Sequence, residues 1–292
     1  MLMADILAVA MHLIPTRCSR ALTPLLCALG AAAVLGACAR DRGAPRGQGE
    51  SVFELFTPPS PAIAASWATD PFDADKRLRG LLLLANAPFG GEPPYLRMYE
   101  LATEDGDPGV RAVALRALAM HGTTDHAAML IAGLTDANQL VRWEAARGLQ
   151  RVHAESAIGP LIDRLSPDRE ESTQVRSAAA RALGQYAQVR VVERLIGVLS
   201  DRSLAVNDSA LASLRTLTGE DFGYDARAWF DWSRHPQTDL FAGRTPYIFP
   251  VFERDPTIVE MLLPWFGPPN EIAAQPIGMP PQESVAPAGR GG

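Results

Sequence analysis

The segment VRWEAARGL, residues 141–149, recurs three more times along this chain, and the recurrence decides the fold. The other copies are VRAVALRAL at 110–118, VRSAAARAL at 175–183 and VNDSALASL at 206–214, so the starts lie 31, 34 and 31 residues apart. Every copy has valine first, alanine four positions later and leucine eight positions later. At 100° per residue these three positions share one face of an α-helix. Each copy therefore predicts an amphipathic helix whose central alanine allows a close neighbour.

A second apolar segment precedes each copy. Its apolar residues recur at helical spacing: Leu130, Ile131 and Leu134; Leu161, Ile162 and Leu165; Leu195, Ile196 and Leu199; and, less regularly, Tyr95, Leu96, Tyr99 and Leu101. Short turns rich in aspartate, asparagine, serine and proline separate the two segments, and such residues cap the helix that follows. The unit is therefore a helical hairpin with one apolar side. This side is buried when the hairpin stacks on copies of itself.

The repeated pattern resembles HEAT repeats, specifically the short bacterial type called PBS-lyase HEAT-like, over about residues 92–217. The resemblance implies an all-α fold, a right-handed α-solenoid of about four to five helical hairpins. We assign the repeats to 95–217 and a degenerate N-terminal repeat or cap to 61–94, in which KRLRGLLLL at 76–84 is the second helix. The fourth copy departs from the pattern because Asn207 replaces the arginine.

The chain beyond the repeats changes character. Residues 218–235 are expected to form a C-terminal cap, with the aromatic side chains Phe222, Tyr224, Trp229, Phe230 and Trp232. Residues 236–278 are rich in proline, which blocks long helices, and are expected to form an extended arm along the solenoid. Residues 279–292 have few apolar anchors and are expected to be disordered. The cap aromatics either plug the last repeat or form a platform for a sugar or peptide.

The N-terminal region reads as an export signal. Residues 21–37 are an apolar run that ends in Leu35-Gly36-Ala37 before Cys38, and small residues of this kind precede signal-peptidase sites. The run resembles the lipobox of bacterial lipoproteins, which implies removal of residues 1–37 and acylation of Cys38. We expect residues 38–60 to be a flexible tether, with the acyl chains in the membrane of the cell envelope. The resemblance to lipoproteins of well-studied envelopes implies the outer membrane, because alanine and not aspartate stands at position 39. An uncleaved signal anchor and a secretory signal with a chance cysteine are the alternatives.

Arginines recur at two positions of the repeat, and they have different predicted roles. Arg111, Arg142 and Arg176 follow the first valine at the edge of the buried arc. The HEAT resemblance implies that they bond to turn aspartates in a ladder along the stack. The aspartates assigned to this ladder are Asp107, Asp136 and Asp201.

Arg116, Arg147 and Arg181 recur five residues after the ladder arginines, away from the apolar arc. The second helices that carry them usually line the concave side of such a solenoid. With Trp143 they form a basic and aromatic stripe at regular spacing. The functional interpretation is a binding groove for an acidic or extended partner, and the alternative is a solvated helix face.

Several functions are excluded or disfavoured by what the chain contains. The formal net charge is −6, whereas a nucleic-acid binder needs a basic face, so we expect no nucleic-acid partner. His121, His126 and His153 lie in inter-repeat turns near Asp125 and Glu155. We interpret them as polar turn residues rather than metal ligands, because neighbouring hairpins are too far apart to share a metal without bending. We predict no metal site and no cofactor.

Catalytic motifs of the common kinds are missing from the predicted mature sequence. Two HEAT-containing enzyme families are disfavoured. Deoxyhypusine hydroxylases bind di-iron through His-Glu dipeptides, and no histidine here precedes glutamate. Bilin lyases act inside photosynthetic cells, unlike an exported lipoprotein. The sequence therefore predicts a non-catalytic scaffold, monomeric apart from its partner, that binds a protein on the concave face. The alternative is a binding module for a glycan or small ligand that uses the C-terminal aromatic segment.

Overall fold

The structure, a computed structural model, describes residues 59–250 and 273–280. The predicted signal peptide, Cys38, nearly all of the tether, part of the arm and most of the C-terminal tail lie outside the described residues. No helix within the described ranges is both long and apolar enough to cross a membrane.

Eleven α-helices make up the described part of the chain, and ten of them pair into five hairpins. In chain order the pairs are α1 (Pro61–Ala68) with α2 (Ala74–Ala85), α3 (Pro93–Ala102) with α4 (Pro108–His121), α5 (Ala127–Gly133) with α6 (Gln139–Gly148), α7 (Ile158–Asp163) with α8 (Thr173–Leu183), and α9 (Val189–Val198) with α10 (Leu204–Thr218). Helix α11 (Ala226–Ser233) follows the last hairpin. The predicted all-α solenoid is therefore confirmed, with five hairpins.

The repeated valine, alanine and leucine positions are the centre of the stack. In all four copies these side chains are at most 1% exposed: Val110, Ala114 and Leu118; Val141, Ala145 and Leu149; Val175, Ala179 and Leu183; and Val206, Ala210 and Leu214. The leucines of the first helices are buried as well, as Leu130, Leu161 and Leu195 illustrate. Burial of a leucine or valine side chain contributes about 1.5–3 kcal/mol, so this repeated stripe supplies much of the driving force for stacking.

The second helices form the more tightly packed layer. Helices α2, α4, α6 and α8 each pack directly on the next second helix, up to α10, whereas the first helices contact one another sparsely. The second helices, which carry the predicted arginine stripe, therefore form one continuous layer of the stack.

Helix α11 closes the C-terminal end of the stack. Trp229 is completely buried and joins the main apolar core, with Phe222 and Trp232 packed beside it. The Trp229 ring meets Phe222 edge-on at 5.0 Å and Trp232 edge-on at 5.9 Å. These three rings cover apolar surface that a sixth hairpin would otherwise cover.

The arm returns along one edge of the solenoid in two described pieces, residues 243–250 and 273–280, which we call the strap. The Thr245 N–H donates to the Thr216 carbonyl at 2.9 Å. Further along, the Ile277 N–H donates to the Arg151 carbonyl at 2.7 Å, and the His153 N–H donates to the Ile277 carbonyl at 2.9 Å. The strap therefore runs from the end of α10 back to the turn after α6.

Candidate functional site

A ladder of arginine–carboxylate pairs runs through the turns inside the hairpins. Each arginine binds the acid of the next hairpin's turn: Arg77 to Asp105 at 2.7 and 2.8 Å, Arg111 to Asp136 at 2.8 and 2.9 Å, Arg142 to Glu170 at 2.6 and 2.9 Å, and Arg176 to Asp201 at 3.1 Å. The same guanidinium also donates to the carbonyl of its own turn acid, as Arg111 does to Asp105 at 2.8 Å. One arginine therefore joins two successive turns.

The ladder differs from the prediction at Asp107, and the predicted set also lacked Arg77, Asp105 and Glu170. Asp107 was assigned to the ladder, but it accepts the Val110 N–H at 3.0 Å and caps α4. The ladder acid of that turn is Asp105, two residues earlier, because a capping residue must lie directly before its helix. Glu170 fills the same place in the turn before α8, two residues before the capping Ser172.

Arg77 is, besides Glu170, a ladder member that the sequence interpretation missed. It lies 34 residues before Arg111, and Gly80 and Leu84 follow it at the spacing of the alanine and leucine in the other copies. That spacing identifies Arg77 as the counterpart of the ladder arginines. The similarity is hard to recognise because Lys76 stands where the other copies have valine.

The ladder ends where the repeats end. Asn207 occupies the arginine position of α10, and its side-chain N–H donates to the Asp201 carbonyl at 3.1 Å. This bond reproduces the arginine's contact with its own turn. Since α11 follows in place of another hairpin, a longer arginine here would have no next turn acid to bind.

Hydrogen bonds outweigh the effect of burial on the pKa of two ladder carboxylates, Asp136 and Glu170. The Arg111 guanidinium lowers the pKa of Asp136 more than burial raises it. Burial raises the pKa of Glu170, but the bonds from Arg142 and from the Ser172 N–H together bring that pKa below its ordinary value. In these two pairs both side chains are charged, and their attraction holds successive turns together.

The predicted turn histidines make structural contacts. The His121 ring nitrogen lies 2.6 Å from the Ala85 carbonyl, and the His126 ring lies 3.2 Å from a Glu100 carboxylate oxygen. The His153 ring lies 3.0 Å from the Gln185 side-chain oxygen and stacks on Tyr186 at 4.8 Å. In the described part of the chain no three His, Cys, Asp or Glu side chains converge on a point that a metal ion can occupy.

An open groove lies between α6, α8 and α10, in the layer of second helices. Its volume is about 370 Å³, and the strap residue Pro250 forms part of its wall. The other lining residues are Trp143, Arg147, Gln150, Thr173, Gln174, Ser177, Ala178, Arg181 and Ala205. Three of the four residues predicted for partner binding therefore meet in one groove. Arg116, on α4, is half-buried and is not among the lining residues.

The two groove arginines are held differently. The Arg147 guanidinium stacks over the Trp143 ring at 4.8 Å and lies 3.5 Å from a Glu144 carboxylate oxygen. Arg181 is exposed, and its Nε donates to the Ser209 hydroxyl at 3.1 Å. Among the described residues no carboxylate pairs with Arg181. The groove therefore holds one arginine in a stacked ion pair and one that is available to an anion.

Gln174 is a groove residue that the sequence interpretation did not select. It is exposed, and its side-chain oxygen accepts a bond from Gln139 at 3.4 Å, so the amide N–H donors remain for a ligand. It occupies the second position of α8, outside the apolar pattern that identified the helix. No periodic signal marks such a residue.

Some of the aromatic side chains of the cap are buried in the core, and others are exposed to solvent. Trp229 is buried and donates its indole N–H to the Gly223 carbonyl at 2.9 Å. Tyr224 and Phe230 are half exposed, and Arg234 lies over the Phe230 ring at 5.1 Å. Trp229 is therefore committed to packing, whereas Phe222 and Trp232 are partly buried beside it.

Comparison with known protein families identifies the repeats that the geometry describes. Residues 97–171 match the family model described as HEAT repeats, and residues 175–201 match the one described as PBS lyase HEAT-like repeat. The chain therefore contains HEAT repeats of the PBS-lyase type.

Three solved structures are each matched at low identity. An engineered protein is 20% identical, with 53% of this chain and 77% of that chain covered and a TM-score of 0.43. The complex of CpcE and CpcF of phycocyanin lyase from Nostoc sp. is 23% identical, with 52% and 96% covered and a TM-score of 0.41. A designed armadillo repeat protein is 18% identical, with 63% and 95% covered and a TM-score of 0.43. A search of curated proteins found no match.

Proposed function

We propose that this protein is a non-catalytic scaffold, anchored in the bacterial cell envelope by acyl chains on Cys38, that binds a protein partner in the concave groove. The observation that carries the binding proposal is the convergence of Trp143, Arg147 and Arg181 in that groove. Stacked repeats present extended concave surfaces, which suit a polypeptide partner. Buried interface residues are enriched in tryptophan and arginine, and both line this groove.

The anchoring proposal is supported by the sequence. The apolar run before Cys38 and the small residues at 36 and 37 have the lipobox pattern. Two or more acyl chains give stable anchoring where a single chain is marginal. Radioactive palmitate labelling of the wild-type protein and of Cys38→Ser tests this half of the proposal. Label on the wild type only is expected, and equal labelling of both proteins contradicts it.

The partner-binding half is tested by crosslinking in the native envelope. A photo-crosslinking amino acid at Gln174, on the groove, is compared with one at Arg194, an exposed residue of the first helix α9. A discrete protein adduct is expected from position 174, and Arg181→Glu is expected to abolish it while Arg194→Glu leaves it unchanged. Adducts from position 194 only, or adducts insensitive to Arg181→Glu, contradict groove binding.

A second function, ligand binding by the C-terminal aromatic segment, has less support. It requires exposed rings, and only Tyr224 and Phe230 of the five cap aromatics are half exposed. The Tyr224 hydroxyl donates to Asp208, which further restricts the ring.

A further inference from the structure

The charged residues that line the described part of the groove are both positive. Its described lining residues include two arginines, four uncharged polar side chains and no carboxylate: the polar members are Arg147, Arg181, Gln150, Thr173, Gln174 and Ser177. Glu144, the acid beside Arg147, is only 8% exposed. A ligand in the groove therefore meets positive charge and N–H donors before it meets any negative charge.

The two arginines of the groove offer different contacts to a ligand. Arg147 is restrained by Trp143 on one side and by Glu144 on the other. Its flat stack with the indole offers a surface for an apolar or planar group. Among the described residues, Arg181 is hydrogen-bonded only through Nε, which donates to Ser209, and its two terminal nitrogens can bind both oxygens of a carboxylate. Arginine binds carboxylates in this bidentate manner with charge-assisted hydrogen bonds.

We propose that the groove recognises an extended segment of the partner protein through one Asp or Glu side chain that pairs with Arg181. A neighbouring apolar or planar side chain of that segment packs on the Trp143–Arg147 stack, and Gln174 donates to the main chain. This inference rests on the proposed function, since it names the chemistry of the partner at the same groove. Charge complementarity selects the acidic segment, because like charges across an interface are costly.

The test uses the purified full chain and a library of random heptapeptides displayed on beads. Peptides that bind the wild type are expected to be enriched in Asp or Glu next to an apolar or aromatic residue. Against Arg181→Glu the acidic enrichment is expected to disappear. One selected peptide and its Asn or Gln counterpart are then titrated against both proteins, and loss of the acid or of Arg181 is expected to weaken binding about tenfold.

The control is Arg194→Glu, which reverses an exposed charge of the same type outside the groove and should bind as the wild type does. Arg181→Lys keeps the charge but loses the fork, and should bind between the wild type and Arg181→Glu. The acidic-segment inference is overturned if the selected peptides are neutral or basic, or if the amide counterpart binds equally well. In that case a crosslinked adduct at position 174 still supports a protein partner. No enriched peptides together with no adduct at Gln174 overturn both.

Discussion

Glu170 illustrates how a single residue connects two hairpins of this protein. Its side chain is fully buried, it accepts two bonds from Arg142, and it accepts the Ser172 N–H at the start of α8. The Arg142 side chain is 17% exposed and also donates to the Asp136 carbonyl at 2.9 Å. Removal of the acid therefore leaves a mostly buried guanidinium without its counter-charge.

We expect Glu170→Ala to lower the free energy of unfolding by about 3 kcal/mol, because breaking a buried ion pair leaves an uncompensated charge. Urea denaturation followed by circular dichroism measures the change. Asp163→Ala is the matched control: Asp163 pairs with Arg169, but both side chains are at least half exposed, so its loss should cost about 0–1 kcal/mol. Equal effects of the two substitutions would show that the ladder does not stabilise the stack.

Acid should weaken the stack through the same carboxylates. The folded-state pKa values of Glu170 and Asp136 lie below their ordinary values. Their contribution to stability is therefore fully present above the unfolded-state pKa and is lost as the pH falls through the folded-state pKa. Urea titrations from pH 7 downward should show stability declining from about pH 5. Glu170→Gln should decline less steeply over the same range, and an identical slope would contradict the assignment.

At the scale of the helical element, the close approach of paired helices depends on small residues. Gly80 replaces the repeated alanine in α2, and a Cβ atom there would lie 2.3 Å from the Ala68 nitrogen and 2.5 Å from the Ala64 carbonyl oxygen. Those atoms belong to the backbone of α1, which cannot rotate away. Even alanine is too large where α1 and α2 meet.

We expect Gly80→Ala to destabilise the protein by about 1–3 kcal/mol, because overpacking outweighs the gain in helix propensity. The control is Gly197→Ala in α9, where an added Cβ meets nothing within 4 Å. That substitution should stabilise by about 0.5–1 kcal/mol through helix propensity alone. Thermal unfolding of the two variants should shift in opposite directions. Stabilisation by both would contradict the close packing of α1 on α2.

The whole molecule is more than a series of neighbouring hairpins because the strap connects distant ones. Repeats in a solenoid otherwise contact only their neighbours. The Arg244 guanidinium donates to the Gln185 carbonyl at 2.8 Å, and Phe249 packs under the Arg151 guanidinium at 4.6 Å. Residues that follow the last hairpin therefore bind the ends of α8 and α6. We expect this connection to make unfolding more cooperative.

Phe249→Ala tests the strap in the full chain. Phe249 is 7% exposed, and removal of a buried phenylalanine side chain costs about 3–5 kcal/mol. Hydrogen exchange should become faster in α6 and α8 as well as in the strap, because the strap holds them together. The adjacent Ile248 is 56% exposed, so Ile248→Ala should change stability by at most about 0.5 kcal/mol. Faster exchange confined to the strap would show that it does not stabilise the hairpins.

The sequence by itself determined the repeated hairpin. Valine, alanine and leucine at helical spacing form an apolar stripe that only another helix can cover, and this requirement is local enough to be recognised in a single copy such as 141–149. The order of the repeats follows from it, whereas the ladder was implied by the resemblance to HEAT repeats. Asp105 and Asp107 show what the sequence could not determine. Both aspartates lie in one turn, and only the geometry of the turn shows that Asp105 pairs with Arg77 while Asp107 caps α4.

The tertiary structure decided where the strap lies and what the groove contains. The strap binds largely through backbone groups, as at Ile277 and His153, and backbone hydrogen bonds leave no side-chain pattern in a sequence. The groove depends on residues from three helices and on Pro250, whose spacing is set by helix packing and not by chain position. For the same reason Arg181, which matches Arg147 in the repeat, differs from it in lacking a carboxylate partner among the described residues.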